Sequence, residues 1–244
     1  MTEDIFRNLN SKQKEAVETI DGPILIIAGP GSGKTRVITH RIAYLVKTLN
    51  VKPYQVAAVT FTNKAAREMR DRLGILLKQN AVSVTAGTFH SFCSMVLRRD
   101  GHHLNIDRNF SIYDDSDQIS AMKQNMLEAN IDVKQFPPRS ILSKISNAKS
   151  QLIPAEGLKL NTKTYFDEVV ARVYENYEQL LSKNSALDFD DLLMKTCLLF
   201  KHFPEVTERY QNRYIHFLID EFQDTNTAQY EIAKQICQLH RNIC

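Results

Sequence analysis

Residues 28–35 read Ala28-Gly29-Pro30-Gly31-Ser32-Gly33-Lys34-Thr35, a glycine-rich loop closed by a lysine and a hydroxyl residue. An apolar run, 24–28, comes before it. An amphipathic run, 34–49, comes after, with Ile38, Ile42, Leu45 and Leu49 on one helical face. Strand, tight loop and helix form the context in which this spacing makes a phosphate cradle. The glycines let successive backbone N–H groups turn inward onto phosphate oxygens, and the helix start adds partial positive charge. In this reading Lys34 neutralises the outer phosphates and Thr35 sets its hydroxyl on Mg²⁺. Ala28 stands where the strict pattern has its first glycine, at a strand end where a small residue suffices. The bland alternative is a glycine-rich turn joining strand to helix.

Working outward, the runs 56–61, 82–86 and 215–220 are short, apolar and bounded by turn residues, as buried strands are. Between the first two, 64–78 carries Ala65, Met69, Leu73 and Leu76 on one helical face. This alternation predicts a parallel α/β sheet with right-handed crossovers. The middle of the chain differs. Helices are predicted over 114–130, 140–150 (after Pro137-Pro138) and 164–183, the last with Phe166, Val170, Val173, Tyr177 and Leu181 along one stripe. The expected organisation is a discontinuous α/β core, 1–94 and 186–244, holding an inserted all-helical subdomain at 95–185.

A phosphate cradle needs a metal partner and a base. Asp220-Glu221 directly follow the apolar run 215–219, so both carboxylates are expected at the C-terminal edge of a buried strand, where ligands sit on an open parallel sheet. There Asp220 would hold the Mg²⁺ shell, and Glu221 would activate water against the γ-phosphate. Alternatively the pair caps the next helix. The long interval from Lys34 to Asp220 argues against a compact kinase for a small acceptor.

Asp220-Glu221-Phe222-Gln223-Asp224-Thr225-Asn226 resembles the DE-aromatic-QDTN signature of the UvrD/Rep/PcrA family of superfamily 1 DNA helicases. Further segments resemble the family in its own order: Leu9-Asn10-Ser11-Lys12-Gln13, Thr35-Arg36, Thr60-Phe61-Thr62-Asn63-Lys64-Ala65-Ala66-Arg67-Glu68-Met69, Gly87-Thr88-Phe89-His90-Ser91-Phe92 and Leu187-Asp188-Phe189-Asp190-Asp191-Leu192-Leu193. The resemblance covers essentially the whole chain and is least specific in the helical block. It implies a P-loop NTPase (RecA-like) fold using ATP and Mg²⁺, with Gln13 reading the adenine and Arg36 near the base. It also implies 3′ to 5′ movement on single-stranded DNA and at single-strand/duplex junctions, in repair or replication. Family motors have a second α/β domain that supplies arginines to the γ-phosphate. The expectation is therefore a front portion whose C-terminal motor domain is missing, able to bind ATP but weak or inactive alone. The alternative is the nucleotide- and single-stranded-DNA-binding module of a helicase-nuclease.

The DNA-contact candidates follow strands. Phe61 either offers a ring to an unstacked base, worth roughly 1–3 kcal/mol, or is a core aromatic at a strand end. Thr60, Thr62 and Asn63 can contact phosphates beside a helix start, without reading sequence. Thr88 and His90 either touch phosphate or sugar, or His90 caps its own helix. Tyr165, Tyr174 and Tyr177 lie on or near an apolar stripe and read as packing. Lys144, Lys149, Lys159 and Lys163 either bind duplex phosphates or form a solvated face. His102-His103 lack a third ligand at metal spacing.

Bulk properties bound the class without deciding it. The 244 residues are 43% hydrophobic and 24% charged, ordinary for a globular protein, and the net charge of +3 is too small to name a partner. Cys93, Cys197, Cys237 and Cys244 have no CxxC spacing, which predicts a reduced, cytoplasmic protein with free thiols. No apolar run reaches the ~18 residues of a membrane span, and no secretory leader is visible.

Overall fold

The computed structural model describes residues 3–29, 31–160 and 162–244. In chain order its elements begin with α1 (Glu3–Phe6), α2 (Ser11–Glu18), α3 (Lys34–Lys47), β1 (Val56–Thr60), α4 (Asn63–Leu77), β2 (Thr85–Thr88) and α5 (Phe89–Asp100). They continue with β3 (Ser111–Tyr113), α6 (Asp115–Glu128), α7 (Pro138–Ser150), α8 (Ala155–Lys159), α9 (Tyr165–Lys183), β4 (Ala186–Asp188) and α10 (Phe189–His202). The last are α11 (Pro204–Arg213), β5 (His216–Ile219) and α12 (Thr227–Cys237). The chain packs as two compact units. One comprises Met1–Phe92, Phe203–Thr225 and Ala233–Cys244; the other comprises Cys93–His202 and Asn226–Ile232.

The first unit is built on a parallel sheet in the order β2-β1-β5. Ala57 stands opposite Thr85 on one side and Phe217 on the other. β1, Val-Ala-Ala-Val-Thr, is buried at every position, as a central parallel strand covered on both faces must be. On one face Ile38 and Ile42 of α3 and Met69 and Leu73 of α4 pack on Ala58 and Leu218. Each such side chain contributes roughly 1.5–3 kcal/mol on burial. α4 begins where Thr62 accepts from the Ala65 N–H at 3.1 Å, which satisfies one of the amides a helix start leaves unpaired.

The second unit is mostly helical. Met122 and Met126 of α6, Ile141 and Ile145 of α7, and Val170, Val173, Tyr177 and Leu181 of α9 form its core. The stripe expected on 164–183 is thus the buried face of α9, and Tyr174 and Tyr177 are packing residues. Tyr165 is exposed, with its ring centroid 6.0 Å from that of Phe136. Lys149 does not lie on a solvated face. It is fully buried, 2.7 Å from Glu178, 2.8 Å from Asp188 and 2.9 Å from Asp191. Burial alone would push its amine down, but the three carboxylates hold it well above the ordinary lysine value. The thiols are free.

Three expectations need correcting. Residues 24–28 form no strand: Leu25 and Ile27 are 70% and 88% exposed. A strand needs a neighbour along its length. The Ile24 N–H reaches the Ile243 carbonyl at 2.9 Å, while the backbone of 242–244 bonds to Phe217 and Ile219 of β5. The run 82–86 is displaced: Lys78–Ser83 forms 3₁₀ turns, Val82 is exposed, and β2 starts at Thr85. The block 95–185 is not all-helical, because β3 pairs in parallel with β4, Ile112 opposite Leu187. A three-residue strand is too short to show a period, and its partner lies far along the chain. Among the described residues, no helix is long and apolar enough to cross a membrane.

Candidate functional site

The loop before α3 is shaped by two residues only glycine accommodates easily: Gly31 at φ 74° and Gly33 at φ 88°, the latter capping α3. Ser32 folds back, its hydroxyl donating to the Gly29 carbonyl at 2.6 Å. Ala28 contributes through its backbone: its carbonyl accepts from Lys34 Nζ at 3.3 Å. The departure from glycine there therefore costs the loop nothing it uses. Pro30 lies outside the described residues. Arg36 is exposed on the first turn of α3.

Sheet topology brings the distant carboxylates to this loop. β5 lies beside β1, and Asp220 at its end donates its N–H to Val59 O at 3.0 Å. Thr35 Oγ1 donates to Asp220 Oδ2 at 2.8 Å, across 185 positions of sequence. Asp220 is buried, and its Oδ1 has no hydrogen-bond partner among the described residues. An orphaned carboxylate oxygen beside a hydroxyl fits a hard divalent cation, which takes oxygen ligands. Glu221 Oε1 stands 3.7 Å from Lys34 Nζ, and both groups are partly exposed.

Glu221 has φ 56°, ψ 47°, a left-handed conformation that costs a non-glycine residue on the order of 1 kcal/mol and that clusters at functional sites. Gln223 Nε2 donates to Glu221 Oε2 at 2.6 Å. In the sequence Gln223 stands out only as one position of the Asp220–Asn226 signature. The available signal was its place two positions beyond the carboxylate, which a turn brings back on itself. The Lys34, Asp220, Glu221 and Gln223 side chains line a cleft of about 1040 Å³, with Ile27 and Ile243 on an apolar wall.

Gln13 sits in the first turn of α2. Its Oε1 accepts from the Asn10 N–H at 2.9 Å, while Asn10 Oδ1 accepts from the Gln13 N–H at 2.9 Å, a reciprocal cap. Its Nε2 donates to Ser32 O at 2.9 Å, and a Cβ on Gly33 would stand 3.3 Å from that nitrogen. Gln13 is thereby placed against the loop.

The remaining candidates flank the strand ends. Phe61 is half-buried, its ring centroid 5.8 Å from that of Phe89. Thr60 is buried and its hydroxyl donates to the Thr62 carbonyl at 3.2 Å. Thr62 and Asn63 are exposed. Thr88 is buried, and its hydroxyl accepts from the Ser91 N–H at 3.1 Å, capping α5. His90 is half-buried, and burial lowers its pKa. Among the described residues no cluster of three His, Cys, Asp or Glu could hold a metal by itself.

These features define a mixed α/β protein in which a small parallel sheet, set among many helices, carries a glycine-rich loop and two carboxylates to one cleft. Residues 9–244 match the family described as the UvrD/REP helicase N-terminal domain, and the chain belongs to that family. It is 49% identical over 240 residues to a protein of Bacillus subtilis (strain 168) named ATP-dependent DNA helicase PcrA, covering 98% of this chain and 32% of that protein. Proteins of the same name from Staphylococcus aureus (strain Mu50) and Staphylococcus epidermidis (strain RP62A) are 49% and 47% identical, each again covering 98% of this chain and 33% of the relative. The chain spans about a third of the length of these curated relatives.

Proposed function

We propose that this chain is the ATP-binding front portion of a DNA helicase motor, a RecA-like P-loop fold carrying an inserted, mainly helical subdomain over about 95–185. The observation that carries the reading is the convergence of Thr35 on Asp220 and of Lys34 on Glu221 in one cleft. Residues 28–35 take the phosphates of ATP, and Arg36 lies near the base. Lys34 exchanges the Glu221 carboxylate for the β- and γ-phosphates. Thr35 and Asp220 offer oxygens to Mg²⁺, which when bound supplies charge neutralisation on the phosphates. Glu221, held by Gln223, takes a proton from a water whose oxygen bonds to the γ-phosphorus as the bond from that phosphorus to the β-phosphate oxygen breaks, and ADP and phosphate leave.

Gln13 reads the base. Its carboxamide has two lone pairs and two N–H groups, and half of each is engaged by Asn10 and Ser32. The remaining lone pair and N–H match the N6–H and N7 edge of adenine. Phe61, Thr62, Asn63 and His90 face single-stranded DNA. Thr60 and Thr88 act by fixing the loops, since their hydroxyls are engaged there. The names of the relatives support a DNA helicase. Movement 3′ to 5′, a C-terminal motor portion supplying arginines to the γ-phosphate, and work in the cytoplasm in repair or replication complete the reading.

The test is steady-state ATPase of this chain with and without oligo-dT, beside calorimetric ATP binding, with Lys34→Ala as control. The expected result is ATP binding without appreciable turnover, lost in the variant, because the γ-phosphate arginines are assigned outside these 244 residues and such arginines are worth roughly 10³–10⁵ in rate. ATP binding unchanged by Lys34→Ala would overturn the assignment of the loop.

A further inference from the structure

Arg41 is 2% exposed, on the buried side of α3 two turns beyond the phosphate loop. Its guanidinium donates through Nη1 to the carbonyls of Ala16, at 2.9 Å, and Thr19, and through Nη2 to that of Ile20 at 3.5 Å. These carbonyls belong to the C-terminal end of α2 and the residues just after it. A helix end leaves such acceptors unpaired and carries partial negative charge. α2 has no basic residue of its own in its last turn. The cation that satisfies this end comes from another helix.

α2 also packs on α3 through a small apolar cluster, against which Phe6, Ala16, Ile26 and Tyr44 lie. Val17 is its one fully buried side chain, in a small cluster with Leu9 and Val37. At its opposite end stands Gln13, bonded to Ser32 of the loop. One short helix therefore joins two contacts with α3 and the loop before it: Arg41 at its C-terminal end and Gln13 at its first turn.

We propose that Arg41 is a positioning residue for base recognition: by clamping the end of α2 to α3 it fixes where Gln13 stands against the phosphate loop, and so sets the preference for adenine over guanine nucleotides. This rests on the reading of Gln13 as the base contact. Guanine presents O6, an acceptor, where adenine presents N6–H, a donor, and so meets the Gln13 Oε1 as acceptor against acceptor. That discrimination needs the carboxamide in register to a few tenths of an ångström, because hydrogen bonds weaken steeply off their geometry. Lysine cannot replace the fork, since one ammonium does not hold three separated carbonyls as a planar guanidinium does.

The experiment measures binding of ATP, GTP and inorganic tripolyphosphate, each with Mg²⁺, by calorimetry, in the wild-type chain and in Arg41→Ala, Arg41→Lys and Gln13→Ala. The expected result is that both Arg41 variants lose about tenfold of the ATP-over-GTP preference, the worth of one misplaced hydrogen-bond pair, and bind tripolyphosphate as the wild type does. A merely structural role would not move the ratio of two bases. If Arg41→Ala does not fold, Arg41→Lys, which keeps the charge and most of the stem, decides. Wild-type preference in a folded Arg41 variant, with preference lost in Gln13→Ala, overturns the clamp alone. Equal loss of all three ligands overturns it too, since the clamp would then support the loop and not Gln13. Preference retained in Gln13→Ala overturns the reading of Gln13, and the role given to Arg41 with it.

Discussion

Gln223 Nε2 lies 2.6 Å from Glu221 Oε2, across a turn that Glu221 enters in the left-handed conformation. The bond leaves Glu221 Oε1 facing Lys34 Nζ, so the amide orients the carboxylate within the cleft. Replacing Gln223 with Ala frees that rotation. If Glu221 acts as proposed, a protein carrying the rest of the motor should show a DNA-stimulated kcat reduced about tenfold or more with KM for ATP little changed, because the lost contact orients Glu221 and does not bind ATP. A rise in KM at constant kcat would instead make Gln223 a nucleotide contact.

Asp220→Asn keeps the shape of the side chain and removes its charge. The hydrogen bond from Thr35 survives, while the unpartnered Oδ1 becomes a poorer cation ligand or an amide donor. The Mg²⁺ concentration for half-maximal ATP binding should rise about 10–100-fold, read by titrating Mg²⁺ at fixed ATP. A curve superimposable on the wild type would remove Asp220 from the metal shell.

Phe61 is half-buried against Phe89, so truncating it affects packing as well as DNA. Phe61→Leu separates the two, since leucine fills much of the volume and offers no flat face. Oligo-dT affinity should fall by roughly 1–3 kcal/mol, with the slope of log affinity against log salt unchanged, because stacking and not phosphate contact is lost. Wild-type affinity in Phe61→Leu would make Phe61 a core residue only.

The helical unit should show a pH signature from its buried charges. Lys149 and Lys195 pull Glu178 down to about 2, against burial. Its contribution to stability is thus complete above the ordinary 4.5 and is lost as pH falls toward 2. Burial pushes Asp191 up to about 7 from 3.8, against the pull of Lys149, so its contribution declines as pH rises through that window. Lys149→Met removes the shared cation and should cost about 3–5 kcal/mol at neutral pH. The variant should recover stability as pH drops from 7 to 5, because Asp191, left buried without its cation, then protonates. Urea unfolding at pH 7, 5 and 3 checks this; a pH-independent loss would mean lost packing and not lost charge.

Much of the fold is legible locally. Short-range signals identify the loop at Gly31–Gly33–Lys34, the helices α3, α4 and α9 with their buried stripes, and the strands β1 and β5 with carboxylates at the end of the latter, because glycine conformations, caps and a 3.6-residue period act over a few positions. Other outcomes depend on what stands beside a segment. Residues 24–28 are as apolar as β1, yet what they meet lies far along the chain, where the Ile24 N–H donates to the Ile243 carbonyl. Lys149 looks like any lysine on an amphipathic helix until Asp188, Asp191 and Glu178 surround it. Thr60 and Thr88 read as phosphate or sugar contacts, but strand ends bury them and the following backbone engages them.

By itself, then, the sequence determined the local pieces of this protein: a phosphate-type loop, its helix, and an Asp-Glu pair at a strand end. Only the tertiary structure decided that Thr35 meets Asp220 and that Gln223 turns onto Glu221. It alone placed Arg41 under the end of the helix that carries Gln13. The physical reason is that these contacts join segments that local propensity cannot relate. Parallel pairing of β1 with β5, and the packing of α2 on α3, set the distances at which a hydrogen bond or a coordinated charge exists at all.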